Sequence, residues 1–349
     1  MFRKTELVED VYALVGAMPP GCVHCIRGSK VVIFITGLCD DKCFYCPVSP
    51  DKLYHDVMRA DEEPVYSLED IVYEVYRIGA DGASITGGDP LIKAERTIKA
   101  IRLLKELFGD GFHIHLYTSG RYASSSVLLE LEHAGLDEIR FHVVGDWVLK
   151  RIDLALKTLR DVEVGVEIPV FPDRVEETKH LIKKLDQMGV KFVNLNELEV
   201  SENNMRAILL HGYKPEDNKP VVKGSREAAL EIVRWASRNT KRITVHFCPA
   251  VYKDRVQMRI RLIRKAMRTA KPYEEITADG MVVVLEAEPV SQALELADKG
   301  FGEQIGDKVV LHPSIRLSGA RVRSRYPVAS AASLPLELQG VTENSNDAS

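Results

Sequence analysis

Apolar residues along this chain recur in short runs and in helical spacing, and the two patterns alternate. The run KVVIFIT at 30–36 is continuous and rich in β-branched residues, which is typical of a strand buried on both faces. Further strands are predicted at 82–86, 112–118, 137–144, 162–170 and 190–200. Helices are predicted at 67–79 (with Ser67 as N-cap), 94–108, 124–134, 147–160 and 175–188.

This alternation indicates parallel strands joined by right-handed crossovers. The chain shows no early GxGxxG turn, so the pattern favours a partial barrel over an open dinucleotide-binding sheet. The expected fold is therefore α/β, a partial (β/α)6 TIM-like barrel with a small C-terminal α/β appendage.

The segments outside this repeat are expected to be smaller elements. Leu7, Val11, Leu14 and Val15 have helical spacing and predict a helix within 5–17, ended by the Pro-Pro-Gly run at 19–21. After residue 200 we expect a loop with a short helix, a helix at 224–238, a strand at 242–247, a basic helix at 251–270, a hairpin at 273–288 turning at Asp279–Gly280, a helix at 289–299 and a strand at 308–317.

Four regions follow from this reading. They are an N-terminal helix with a CxxC extension at 1–29, the barrel at 30–250, the basic helix with the appendage at 251–327, and a tail at 328–349. The tail is rich in Ala, Ser and Asn without periodicity, so it is expected to be disordered.

Composition places the chain among ordinary globular proteins, with 45% hydrophobic and 28% charged residues. A formal net charge of −4 gives no overall sign of nucleic-acid binding. No apolar run has the length of a membrane span, and the N-terminus lacks the features of a signal peptide, so no membrane contact and a cytoplasmic location are expected. Six clustered cysteines in such a chain indicate metal binding or catalysis and not a disulfide framework.

Three of these cysteines, Cys39, Cys43 and Cys46, fall within eight residues directly after the first buried strand. Thiolates at this spacing suit an iron–sulfur cluster or zinc. A structural zinc site normally has four ligands, whereas a working site keeps one position open, and no fourth cysteine is close in sequence. A zinc site and a cluster of buried thiols remain the alternatives.

The segment CDDKCFYC at 39–46 resembles the CxxxCxΦC signature of the radical S-adenosylmethionine (SAM) superfamily. TGGDP at 86–90 is similar to the family's GGEP motif, with Asp89 in place of Glu, and LYTSG at 116–120 is similar to its YTNG-like segment. The resemblance spans roughly residues 30–200. More closely, the chain resembles archaeal radical SAM proteins related to pyruvate formate-lyase activating enzymes.

This resemblance implies a [4Fe–4S] cluster held by Cys39, Cys43 and Cys46, with the amino and carboxylate groups of SAM on the fourth iron. It implies reductive cleavage of SAM to methionine and a 5′-deoxyadenosyl radical, which takes a hydrogen atom from a substrate. It also implies a low-potential electron donor of the ferredoxin or flavodoxin type. The substrate class stays open between a protein, an RNA and a small molecule, and a non-catalytic iron–sulfur or zinc protein is the rival reading.

Further cofactor contacts are expected around this cluster. Gly87 and Gly88 would let the backbone approach a ligand, and Asp89 or nearby carbonyls would accept the SAM ammonium; an ordinary turn is the alternative. The remaining expected contacts are Thr118 and Ser119 to ribose or carboxylate (or as turn caps), the Tyr45 backbone near adenine, and His142 and Glu167 facing the cavity (or as core polar groups).

Three features stand apart from the main motif. Cys22, Cys25 and Cys248, with His24 or His246, would form an auxiliary iron–sulfur or zinc site if the barrel brings them together; otherwise they are buried thiols. The basic segment 251–271 is either a helix packed by its apolar face or a contact for a phosphate-bearing or acidic substrate, such as RNA. Asn196, Glu197 and Glu199 would line the substrate side or serve as a polar loop.

Overall fold

A computed structural model describes Arg3 and residues 5–8 and 12–327. Within that part of the chain, eleven strands form the main sheet. They are β1 (Thr5–Val8), β2 (Tyr12–Val15), β3 (Lys30–Phe34), β4 (Met58–Ala60), β5 (Glu63–Val65), β6 (Gly82–Thr86), β7 (His113–Thr118), β8 (Glu138–Phe141), β9 (Glu163–Val170), β10 (Phe192–Glu197) and β11 (Thr244–Cys248).

Helices lie between these strands and after them along the chain. They are α1 (Pro20–Ile26), α2 (Leu68–Ile78), α3 (Ala94–Phe108), α4 (Ser125–His133), α5 (Trp147–Thr158), α6 (Val175–Met188), α7 (Met205–Leu210), α8 (Ser225–Asn239), α9 (Ala250–Tyr252), α10 (Arg259–Thr269) and α11 (Ser291–Leu296), with a 3-10 turn at Pro90–Lys93. Ser67 is the N-cap of α2, as predicted, and its backbone N–H donates to the Asp70 carboxylate at 2.9 Å.

The sheet order is β1-β2-β11-β10-β9-β8-β7-β6-β3-β4-β5. All pairs from β3 to β11 along this order are parallel, and the pairs beyond them are antiparallel. The predicted partial barrel is confirmed and is extended by β11 as a seventh parallel strand. Because the strands run in one direction, their carboxyl ends meet at one rim.

The predicted helix within 5–17 is wrong for the residues described, since β1 and β2 form an antiparallel hairpin there. Val15 of β2 lies opposite Val245 of β11, and Ala13 and Val15 are fully buried. Pairing with the edge of the barrel therefore outweighs the helical spacing. The helix of this region is α1, which starts at Pro20, a residue favoured at the first helical position, and carries Cys22 and Cys25.

A second, smaller sheet follows the barrel. It contains β12 (Glu275–Ile276), β13 (Val282–Ala287), β14 (Gly302–Ile305), β15 (Lys308–Leu311) and β16 (Arg321–Arg325), all paired antiparallel. The predicted hairpin is formed by β12 and β13. This sheet has its own apolar core beneath α10, which includes Ala266, Tyr273 and Val282. The predicted tail at 328–349 lies outside the described residues.

The basic segment is helical, and most of its described cations contact the barrel. It runs through α9, a π-helical stretch at Lys253–Met258, and α10. Arg261 pairs with Asp61 at 2.5 Å and with Glu62, and Lys265 lies 2.8 Å from both Glu63 and Glu74. The helix is therefore packed on its surroundings, but by a partly charged face in which Leu262, Lys265 and Ala266 are buried, whereas Met267 of the predicted apolar face is 75% exposed. No helix among the described residues is both long enough and apolar enough to cross a membrane.

Candidate active site

A cavity of about 380 Å³ opens at the carboxyl rim of the parallel strands. Every residue that the sequence assigned to the cluster and SAM lines this cavity: Cys39, Cys43, Tyr45, Cys46, Gly87, Gly88, Asp89, Thr118, Ser119, His142 and Glu167. Asn196, Glu197 and Glu199 also line it. Residues from five different strand ends and one loop are thus brought to one place.

The loop that carries the three cysteines connects β3 to β4 and is closed by its own backbone. The Gly37 N–H donates to the His55 carbonyl at 2.8 Å, and the Tyr54 N–H donates to the Gly37 carbonyl at 2.7 Å. Within the loop, the Cys46 N–H donates to the Cys43 carbonyl at 3.1 Å, which forms a tight turn. We call residues 39–46 the cluster turn.

A charged clamp fixes the base of this loop. The Asp56 carboxylate accepts from Thr36 at 2.9 Å and from Arg96 at 2.7 and 3.2 Å, and it lies 2.9 Å from the Lys93 ammonium. Arg96 also donates to the Ile35 carbonyl at 3.0 Å. The hydrogen bonds from Arg96 hold the pKa of Asp56 well below its ordinary value. No sequence motif marks this clamp, because its members are spread over sixty residues.

The TGGDP turn packs directly on the cluster loop. A Cβ atom on Gly87 would lie 2.4 Å from the Thr36 carbonyl oxygen, and one on Gly88 would lie 2.2 Å from that of Leu38. The Gly88 N–H donates to the Thr36 carbonyl at 2.7 Å, and the Asp89 N–H donates to that of Leu38 at 2.8 Å. The close approach that requires these glycines is therefore to the cluster loop.

Asp89 joins the TGGDP turn to the LYTSG turn. One carboxylate oxygen accepts from the Leu91 N–H at 3.1 Å and the Thr118 hydroxyl at 2.8 Å, and the other accepts from Ser119 N–H at 3.1 Å and its hydroxyl at 2.7 Å. Burial raises the pKa of Asp89 in spite of these bonds. Its acceptor positions are filled by protein donors, so the side chain acts here as a positioning group. The hydroxyls of Thr118 and Ser119 stabilise the turn, and their contacts with a ligand stay predictions.

His142 and Tyr45 form one hydrogen-bonded pair in the cavity wall. The His142 Nδ1 lies 3.0 Å from the Glu167 carbonyl oxygen, so Nδ1 carries the proton and donates. Its Nε2 then accepts from the Tyr45 hydroxyl at 2.9 Å. Burial lowers the pKa of His142, which keeps the ring neutral in this arrangement. Tyr45 is thus fixed between two cysteines of the cluster turn.

Glu167 belongs to a buried charged network beneath the cavity. Its carboxylate accepts from Arg140 at 2.8 Å and from the amides of Asn194 at 3.0 Å and Asn196 at 2.8 Å. Burial alone would raise the pKa of Glu167, but the charges of Arg140 and Lys253 and these amide bonds lower it to about 2. Glu167 is therefore an anion at neutral pH. Sequence reasoning missed Arg140, because no motif marks it.

Two asparagines that the sequence reasoning also missed hold the cluster turn from the other side. The Asn204 amide donates to the Tyr45 carbonyl at 2.9 Å and to the Glu199 carbonyl at 3.0 Å. The Asn203 amide donates to the Cys46 carbonyl at 3.1 Å. Both residues precede α7, so this short helix is tied to the cluster turn.

The other three cysteines do not line the cavity; Cys22 and Cys248 are buried, and Cys25 is half-buried. Cys22 on α1 accepts from the Asn194 amide at 3.3 Å and from Arg140 at 3.5 Å, and Cys248 accepts from Gln257 at 3.8 Å. All six cysteines are free thiols, and burial raises the pKa of Cys22 and of Cys248 to about 12. His24 stacks on His113 with ring centroids 5.4 Å apart, and His246 contacts Asn194 at 3.1 Å.

Among the described residues, no group of three or more His, Cys, Asp or Glu side chains is arranged to hold a single metal ion. This finding applies equally to the three cysteines of the cluster turn, and the predicted auxiliary site at Cys22, Cys25 and Cys248 stays a prediction. The cluster turn presents three sulfur donors to one cavity without a fourth cysteine among its lining residues. This donor set fits an iron–sulfur cluster with one iron left open for another ligand.

The chain is similar to known proteins over most of its length. The model of the radical SAM superfamily matches residues 33–196. The chain is 35% identical over 337 residues to a protein of Methanocaldococcus jannaschii named as a candidate glycyl-radical enzyme activating enzyme, covering 90% of this chain and 88% of that protein.

The chain belongs to the radical SAM superfamily.

Two further proteins match the chain with lower sequence identity. A GTP 3′,8-cyclase of Peptoclostridium acidaminophilum is 25% identical over 175 residues, covering 49% of this chain and 47% of that one. The solved structure of Streptococcus suis SuiB bound to SAM is 12% identical, covers 63% of this chain and 50% of that one, and has a TM-score of 0.45.

As a radical SAM enzyme, the protein uses a [4Fe–4S] cluster and SAM as cofactors. The alternative of a non-catalytic iron–sulfur or zinc protein is not supported.

Proposed function

We propose that this radical SAM enzyme activates a second protein by removing a hydrogen atom from a backbone glycine. The observation that carries this proposal is the 35% identity over 90% of the chain to a protein named as a candidate activating enzyme. The match extends over far more of the chain than the superfamily model does, so it includes the appendage-bearing C-terminal part. A protein substrate and a low-potential electron donor are the partners that this function requires.

Cys39, Cys43 and Cys46 are the residues that would hold the cluster, and SAM would lie beside it in the cavity. When bound and reduced by one electron, the two cofactors supply methionine and a 5′-deoxyadenosyl radical, which becomes 5′-deoxyadenosine by taking the substrate hydrogen. SAM carries a sulfonium and an ammonium, and four carboxylates line the cavity besides Asp89: Asp41, Glu167, Glu197 and Glu199. An acidic lining stabilises such a cationic ligand.

The chain's own groups would orient SAM and exclude water from it. Because the Asp89 carboxylate is filled by four protein donors, we assign the SAM ammonium to carbonyl oxygens of the TGGDP turn. The ionised Glu167, held by Arg140, would place a fixed negative charge in the cavity that stabilises a cationic ligand. Lys253 pairs with Glu199 at 2.8 Å and is the cation among the lining residues, so it would meet an anionic or carbonyl group of the substrate.

The cytoplasm is the proposed location, because six free thiols suit a reducing compartment. A role in RNA modification is less well supported, because Arg261 and Lys265 of the basic helix pair with acidic residues of the barrel.

The test is an anaerobic assay with the cluster reconstituted, SAM, dithionite and a glycyl-radical enzyme from the same genome. We expect 5′-deoxyadenosine, together with a glycyl radical signal in the electron paramagnetic resonance spectrum of the second protein. With α-deuterated glycine in that protein, deuterium should enter 5′-deoxyadenosine. The Cys43→Ala variant should give neither product.

Two results would contradict different parts of the proposal. If the cluster-loaded protein forms no 5′-deoxyadenosine, it does not cleave SAM, and the proposed enzymatic activity is contradicted. Formation of 5′-deoxyadenosine without deuterium transfer from any glycyl-radical enzyme would contradict the protein substrate and direct the search to small molecules.

A further inference from the structure

One residue of the cavity wall has a backbone conformation that its side chain disfavours. Tyr54, in the loop that carries the cluster turn, has a left-handed φ of 66°. The other non-glycine residues with a left-handed φ in the described part of the chain are Asp61 and Asn218. Aspartate and asparagine adopt this conformation far more readily than a bulky aromatic residue does. The presence of a tyrosine at such a position therefore calls for a reason.

The left-handed backbone of Tyr54 is imposed by the loop around it. The Tyr54 N–H donates to the Gly37 carbonyl at 2.7 Å, and the His55 N–H donates to the Lys52 carbonyl at 3.1 Å. The Gly37 N–H donates to the His55 carbonyl at 2.8 Å, and a Cβ atom on Gly37 would lie 1.7 Å from the Lys52 carbonyl oxygen. The loop therefore fixes the backbone of residue 54, where glycine or asparagine would be accommodated at lower cost.

The packing of the fold gives no reason for the tyrosine side chain. Tyr54 is 52% exposed, and it belongs to none of the apolar cores formed by the described residues. Its hydroxyl has no hydrogen-bond partner within the described part of the chain. The ring is thus kept at a strained position without a large contribution to the core.

The segment that carries Tyr54 forms an apolar wall of the cavity. The lining residues of this segment are Pro47, Val48, Leu53 and Tyr54. Their side chains offer SAM no charge, but apolar groups exclude water from a bound ligand. The segment is therefore suited to closing the cavity and not to binding the charged groups of SAM.

Tyr54 is the residue of this wall that is related to all three cysteines of the cluster turn. Partial burial, and then the thiolates of Cys39, Cys46 and Cys43, raise the pKa of the Tyr54 phenol. Its hydroxyl is therefore within electrostatic reach of the three sulfur atoms, which are themselves half-buried. More than half of the same side chain is exposed to solvent. The ring thus has solvent on one side and the place of the cluster on the other.

We propose that Tyr54 covers the cluster and keeps water and oxygen away from it. A cluster with one open iron is damaged when oxygen reaches it, and a large ring at the mouth of the cavity limits that access. A strained backbone persists at functional positions when the surrounding structure fixes it, as the loop does here. The role goes beyond the proposed function, because it requires only the cluster that all members of the superfamily hold.

The first test measures thiol accessibility in the cluster-free full chain. The reaction of each cysteine with iodoacetamide is followed by mass spectrometry of the digested protein. In Tyr54→Asn we expect Cys39, Cys43 and Cys46 to react about fivefold faster than in wild type, because the ring no longer covers them. Cys25 is half-buried outside the cavity and should react at an unchanged rate. In Tyr54→Phe all rates should equal those of wild type, because the hydroxyl has no partner to lose.

The second test measures the oxygen sensitivity of the reconstituted protein. The visible absorbance of the cluster should decay in air-equilibrated buffer about five- to tenfold faster in Tyr54→Asn than in wild type. It should decay at the wild-type rate in Tyr54→Phe. Tyr66→Asn is the matched control, because Tyr66 is 86% exposed and does not line the cavity, and it should also decay at the wild-type rate.

The stability of the cluster-free protein separates a covering role from a role in the fold. The urea midpoint of Tyr54→Asn should be at or above that of wild type, because asparagine adopts a left-handed backbone more readily than tyrosine does. A lower midpoint would show that the ring stabilises the fold itself, and this result would overturn the proposal.

Three further results would overturn it. If the cluster-turn cysteines and the cluster of Tyr54→Asn react at wild-type rates, the ring covers nothing. If Cys25 is accelerated as much as the cluster-turn cysteines, the substitution has loosened the whole protein. If Tyr54→Phe loses its cluster to oxygen as fast as Tyr54→Asn does, the protection comes from the hydroxyl and not from the ring.

Discussion

The ionised state of Glu167 depends on its partners, because its carboxylate lies in the barrel interior beneath the cavity. Glu167→Gln keeps the shape of the side chain and removes its charge from Arg140, 2.8 Å away. We expect the unfolding free energy at pH 7 to fall by about 3 kcal/mol, since breaking a buried pair leaves a charge uncompensated. Urea denaturation of wild type and variant measures the difference.

The same pair predicts the pH dependence of that difference. The pKa of Glu167 is lowered from 4.5 to about 2 in the folded protein, so the stability it contributes is complete above about pH 4.5 and is lost as the pH falls toward 2. The gap between wild type and Glu167→Gln should therefore shrink on acidification. Glu176→Gln, an 84% exposed carboxylate paired with Lys179, should show little effect at either pH. If the difference in unfolding free energy does not change with pH, the lowered pKa assigned to Glu167 is wrong.

Asp89 offers a second prediction at the residue scale. In Asp89→Asn, the amide nitrogen must face two of the four donors that the carboxylate now accepts, so the LYTSG turn loses its fixed position. We expect SAM affinity of the reconstituted protein to fall about tenfold, and the unfolding free energy to fall by about 1–3 kcal/mol. Isothermal titration and denaturation measure the two effects.

Thr118→Val is the control for this prediction, because it removes one of these four bonds and leaves the carboxylate in place. Thr118→Val should lower the SAM affinity and the unfolding free energy by less than Asp89→Asn does. If Asp89→Asn binds SAM as tightly as wild type, the carboxylate does not position the turn.

The position of the cluster loop depends on α3, which carries Arg96. Arg96→Met removes the guanidinium that joins Asp56 to the Ile35 carbonyl and leaves the base of the loop held by weaker contacts. We expect the reconstituted protein to lose iron to a chelator several-fold faster, since opening of the loop exposes the cluster. The decay of the cluster absorbance measures this rate.

Lys99→Met is the matched change on the same helix. Lys99 pairs with Glu95 at 2.8 Å, but both side chains are exposed, at 60% and 83%, so this pair contributes little. The variant should lose iron at the wild-type rate. Equal rates for Arg96→Met and wild type would show that the clamp is not needed to retain the cluster.

The parallel strands and the cavity could be predicted because their signals are local. Continuous β-branched runs such as 30–36 identify buried strands, and the alternation with helices places every strand end at one rim. The motif residues after those strands, from Cys39 to Ser119, consequently line one cavity.

Features that depend on distant partners could not be predicted. The β1–β2 hairpin has helical spacing, and its strand conformation is stabilised by pairing with β11, more than two hundred residues away. Asp56 and Arg96 are forty residues apart, and nothing in the sequence around either residue indicates that the fold pairs them. Gly87 and Gly88 are needed for a close backbone approach, as predicted. However, the group that approaches them is the backbone of the cluster loop and not a ligand.

In the whole molecule, the appendage contacts the barrel through α10 and α2, and we propose a boundary between the two parts near residue 250. The charged contact across this boundary is buried, since Lys265 is 3% exposed and Glu74 is fully buried. Taking both charges out of water opposes folding, and their attraction offsets that cost only while both are present.

This arrangement predicts opposite results for single and double substitutions. Lys265→Met should lower the unfolding free energy by about 3 kcal/mol, because the buried Glu74 then keeps only Arg77, 3.6 Å away, as a cationic partner. Lys265→Met combined with Glu74→Leu should recover most of the loss, since two apolar side chains fill the same space. Denaturation of the full chain, followed by circular dichroism, measures both. Lys299→Met, which removes an exposed pair with Glu295 in the appendage, should change little. A double variant as unstable as Lys265→Met alone would show that the loss comes from packing of α10 and not from the stranded charge.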